Sequence, residues 1–109
     1  MMADYHAAIV DFTEVIDKKL GSARAQDFGL RGITRCLLGS AKSTQGPSKE
    51  ARKQYNLARE DFKKAIELEP NNAVHYQWQG LANAALGKAK EAIDDFEKAK
   101  QLEETKSGN

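Results

Sequence analysis

The chemically reactive side chains of this 109-residue chain are few. They amount to one cysteine, Cys36, and two histidines, His6 and His75. A Cys/His pair brought together as nucleophile and base would support covalent catalysis, and a cluster of such ligands at short spacing would hold a metal ion. Neither pattern is present. Cys36 has no histidine at helical spacing and sits on an apolar stripe, so it reads as packing, and with no second thiol it cannot close an internal disulfide. His75, beside Tyr76 at the start of a helix, is expected to face solvent. The stretch from Gly80 to Lys88 has the wrong spacing for a phosphate loop and joins two helices instead of following a strand. Asp94 and Asp95 are adjacent, so they leave a helix in different directions and cannot work as an acid–base pair. The expectation is therefore a chain with no catalytic residues, no metal and no cofactor, and not an enzyme.

The remaining polar candidates each carry two readings. Arg31 and Arg35 share one side of a helix and could grip an anion, or pair with Asp or Glu inside the fold. The segment from Ser48 to Gln54, with Lys42, could meet an acidic partner or form a solvated face. Ser40, Ser43, Thr44 and Ser48 could accept phosphate. Trp78 reads as a packing or partly exposed residue.

The elements that would position these groups follow from composition. Sixteen alanines against eight Val and Ile favour closely packed helices over sheet. Seventeen basic and sixteen acidic residues give a net charge of +1, so no strong field draws the surface to nucleic acid or to an anionic membrane. No apolar run approaches the roughly 20 residues of a membrane span. The first residues also lack the basic patch and apolar block of a secretory signal. A cytoplasmic protein is the expectation.

Apolar residues recur at three- and four-residue spacing in five segments. The first contains Tyr5, Ala8, Ile9, Phe12, Val15 and Ile16 and stops at Leu20-Gly21-Ser22. The second runs from about Ala25 to Leu38, with Gly39 expected as a left-handed C-cap. Ser40 to Ser48 reads as a loop, and Gly46-Pro47 suits the start of the next helix. The third helix carries Ala51, Tyr55, Ala58, Phe62, Ala65 and Ile66 and ends at Pro70. The fourth spans about Ala73 to Leu86 and closes at Gly87. The fifth carries Ala89, Ala92, Ile93, Phe96, Ala99 and Leu102, before a polar tail from Glu103.

Ala58, Phe62 and Ala65 recur as Ala92, Phe96 and Ala99, displaced by 34 residues. This spacing of small and aromatic residues, with Tyr76, Gly80 and Pro70, resembles the tetratricopeptide repeat. Phe28, Gly32 and Gly39 match Tyr76, Gly80 and Gly87 at 48 residues, that is 34 plus 14. The difference implies a 14-residue insertion made of the Ser-rich loop and an extra N-terminal stretch of the third helix, which should project. Arg31 and Gln79 stand where the family usually has Leu, and Arg35 and Asn83 where it has Tyr.

The resemblance implies an all-α, right-handed α-solenoid of five helices in the order B-A-B-A-B. Its single domain would cover 1–104, with a partial repeat over about 3–22, a repeat with insertion over about 25–72, a repeat over about 73–104, and a polar tail over 105–109. Gly32, Ala58, Gly80 and Ala92 would let helices approach while Phe62 and Phe96 fill the space between them, so Gly80→Leu should cost about 1–3 kcal/mol or more.

The resemblance also implies a concave, mostly uncharged groove formed by Gln26, Gly29, Ile33, Cys36, Leu37, Val74, Gln77, Leu81, Ala84 and Ala85, able to take an apolar segment or helix of a partner protein. Equally, neighbouring helices could cover that surface. The lysine and asparagine clamp by which some members hold the C-terminal carboxylate of heat-shock chaperones is not evident, since Gly29, Ile33, Gln77 and Leu81 occupy its places. The expected function is a protein-binding adaptor or scaffold. The alternatives are a self-associating module that forms a homodimer through exposed solenoid ends, and an accessory region of a longer protein whose activity lies elsewhere.

Overall fold

A computed structural model describes residues 4–19, 23–43 and 48–107. Five helices succeed one another: α1 (Tyr5–Lys18), α2 (Ala25–Lys42), α3 (Lys49–Leu68), α4 (Ala73–Ala85) and α5 (Ala89–Ser107). Their starts are set by side chains that satisfy the first free backbone N–H groups. Asp4 accepts from the Ala7 amide, Ser48 from Ala51 and Asn72 from Val74, each at 3.0 Å. At α2 the bond runs the other way, with the Arg24 amide donating to the Asp27 carboxylate at 2.8 Å. That carboxylate also binds Lys19 at 2.7 Å, which holds it below the usual carboxylate range and ties the end of α1 to the start of α2.

Each helix packs on the next, and α2 also touches α4 directly, which makes the stack an all-α helical-repeat solenoid. The lock within each pair is steric. A Cβ on Gly32 would stand 2.7 Å from the Phe62 ring, and one on Gly80 would stand 2.7 Å from the Phe96 ring. Phe62 is fully buried with Ala58, Ala82 and Cys36, and its ring stacks on Trp78 with centroids 6.5 Å apart.

Several sequence expectations are revised. Gly39 does not end α2. The helix continues through it to Lys42, and Gly39 serves instead as a flat seat for the Tyr55 ring, 3.0 Å from where a Cβ would be. The left-handed cap occurs at Gly87 (φ 79°). Here the amides of Gly87 and Lys88 return to the carbonyls of Ala84 and Asn83 at 3.0 and 2.8 Å. The N-terminal part of α3 is not a free projection, because Ala51 is buried and Tyr55 rests on α2. Helix α5 carries on through the expected polar tail to Ser107. The expected stop at Leu20-Gly21-Ser22 and the start at Gly46-Pro47 lie outside the described residues.

Candidate functional site

Helices α2 and α4 border a cleft of about 310 Å³. Its lining includes Gln26, Gly29 and Ile33 from α2 and Val74 from α4, four of the residues expected to meet a partner. Leu30, Phe62 and Trp78 complete its apolar surface. Leu37, Gln77, Leu81, Ala84 and Ala85 are exposed but do not line this cleft. Gln77 is turned to α5, where its amide donates to Glu103 at 3.1 Å.

Two of the ten expected contact residues are buried. Cys36 belongs to the core cluster with Phe62, so no partner reaches it. Burial, with Asp61 nearby, pushes its thiol up to about 12, so the reactive thiolate is absent at neutral pH. Gly29 is covered by His75, whose Cε1 lies 3.2 Å from where a Cβ would stand.

His75 reverses the expectation that it faces solvent. It is 6% exposed, and its Nε2 lies 2.8 Å from Glu69 Oε1. The amide of Asn72 donates to the same oxygen at 3.0 Å. The His75 bond, then the Asn72 bond, hold the Glu69 carboxyl below its ordinary value. Glu69, Asn72, Leu30 and Trp78 were not identified from the sequence as groove residues. The available signal was Pro70: its turn folds the end of α3 back on the start of α4 and brings Glu69 to His75.

Arg31 and Arg35 resolve in favour of an internal partner. Both guanidinium groups meet Asp61, which Arg31 engages through two nitrogens with a closest contact of 2.7 Å, while Arg35 binds at 2.7 Å. Arg31 also donates to the Thr13 hydroxyl at 3.2 Å, joining α1 to the α2–α3 pair. Positions that in the family hold Leu and Tyr are thus used for a buried polar tie.

A tetratricopeptide repeat model matches residues 49–72, and a second matches 62–94. With the paired helices and the Gly–Phe locks, this decides the repeat type. Residues 49–94 carry tetratricopeptide repeats. No curated protein matches it. Tetratricopeptide repeats generally mediate protein–protein interaction and are typically non-catalytic. Among the described residues, no helix is long and apolar enough to cross a membrane.

Proposed function

We propose that this tetratricopeptide repeat chain is a non-catalytic adaptor or scaffold that takes a peptide or helix of a partner protein into the groove between α2 and α4. Its units would be repeats over about 25–72 and 73–104, preceded by a partial repeat. The observation that carries the reading is the open cleft itself, in which apolar surface from α2 and α4 stays uncovered by the described residues. Covering such surface contributes about 25 cal/mol per Å². A cytoplasmic location suits the single free thiol of Cys36.

The test is comparative capture of partners by the wild-type chain and by Val74→Arg and Leu30→Arg, two partly exposed cleft positions, with Asn56→Arg, an exposed α3 position outside the cleft, as control. Partners lost from both cleft variants but kept by the control support the groove. Retention by folded cleft variants would sink it.

A second reading, a homodimer through an open end, is favoured by the exposed apolar residues of α4 and α5. Leu81 is 49% exposed, Ile93 56% and Phe96 38%. Light scattering decides that reading: a monomer at all concentrations rejects it, and a dimer abolished by Ile93→Arg supports it.

A further inference from the structure

Resting on the groove reading above, we propose that the occupant of the α2–α4 cleft is a partner segment in which one large apolar side chain is flanked by lysine or arginine.

The apolar part of the recognition follows from size and lining. The cleft holds about 310 Å³, near the lower end of the ~300–1,000 Å³ typical of ligand pockets, with Leu30, Ile33 and Trp78 on its walls. Gly29 and the His75 ring that packs on it also line the cleft. One bulky side chain fits such a space.

The charged part follows from the groups around the cleft. The cleft shares Glu69, Asn72 and Val74 with a wider hollow of about 880 Å³ that extends to Glu103 on α5. Among the described residues no lysine or arginine lines either hollow, although the chain has 17 of them, while the Glu69 carboxylate lines both. The charge that both hollows share at the groove edge is therefore the Glu69 carboxylate, in a chain that is nearly neutral overall.

Glu69 is also arranged for a cation. His75 and Asn72 both bind its Oε1, and among the described residues Oε2 accepts no hydrogen bond. The side chain is half exposed, yet two hydrogen bonds fix its direction and favour its ionised form. A carboxylate held this way presents one oxygen to an incoming ammonium or guanidinium with little ordering left to do.

The test uses the intact chain and three pentapeptides: one phenylalanine between paired lysines, the same with paired glutamates, and the lysine peptide with glycine replacing phenylalanine. ¹H–¹⁵N spectra track the Trp78 indole N–H and the Gly29 amide. The lysine–phenylalanine peptide should shift both signals to saturation, more weakly at raised salt, and bind at least about tenfold better than the glutamate peptide. The glycine peptide should leave Trp78 unmoved. Glu69→Gln, which keeps the side chain's shape, should weaken the lysine peptide about fivefold and not the glutamate peptide. Equal binding of lysine and glutamate peptides would overturn the charge assignment and leave the groove reading standing. Failure of both to move Trp78 and Gly29, with spectra that show a folded chain, would overturn both.

Discussion

The pairs α2–α3 and α4–α5 are built on one plan and differ in what covers them. In both, a glycine admits a phenylalanine ring to the same closeness, Gly32 to Phe62 and Gly80 to Phe96. Phe62 is fully buried because α4 comes after it and lays Trp78 on its ring, whereas Phe96 is 38% exposed at the end of the stack. The polar sites diverge too. In the first pair Asp61 meets Arg31 and Arg35; in the second, among the described residues, the equivalent Asp95 is hydrogen-bonded by the Asn83 amide alone, at 2.7 Å, with Arg59 acting on its charge from further off and Asn83 Oδ1 without a partner. A repeat's small-residue lock is thus local, while burial of the aromatic is supplied by the next helix.

The largest expected break in this comparison is at the carboxylates. Asp61→Asn leaves two largely buried arginines without their counter-charge and should cost up to about 3–5 kcal/mol in denaturant unfolding. Asp95→Asn should cost far less, since burial already disfavours the charged form and pushes the Asp95 carboxyl above its ordinary value. An equal loss for the two would contradict the comparison.

Next come the glycines. Gly32→Ala meets a ring with nowhere to go and should destabilise by ~1–3 kcal/mol, only partly offset by roughly 1 kcal/mol of better helix propensity. Gly80→Ala meets a ring that can swing toward solvent, so the two contributions should nearly cancel. Thermal unfolding of the pair of variants checks the order.

The smallest effect concerns pH. The folded state holds the Asp95 proton more tightly than the unfolded state, so its contribution to stability grows as pH falls from neutral through the raised value toward about 4. Wild type should therefore gain on Asp95→Asn over that range. A gap that moves the other way would contradict the buried carboxyl. Glu69 and Asp27 have the opposite sign: their stabilising contributions disappear as pH falls through their lowered values.

The helical stack was legible in the sequence because its lock is periodic: small and aromatic residues return at 34 residues whatever surrounds them. Contacts made across the stack were not. Nothing near Arg31 or Arg35 in sequence names Asp61, which stands 30 and 26 residues away. Gly39 and Gly87 are equivalent by alignment, yet the residues C-terminal to each decide its role. Ser40-Ala41-Lys42 continues the helix past Gly39, whereas Lys88-Ala89 opens a new helix after Gly87. At the candidate site, Gln26, Gly29, Ile33 and Val74 were found because the resemblance to the repeat family carries its groove positions onto them. Glu69 and His75 were missed because their meeting depends on the turn at Pro70.

The most direct test of the groove is covalent capture. A photoreactive benzophenone side chain placed at Val74, in the cleft, is compared with one at Asn56, an exposed α3 residue outside it. Irradiation with partner present should give an adduct from position 74 and none from position 56. An adduct from position 56 alone would contradict the assignment of recognition to the α2–α4 cleft.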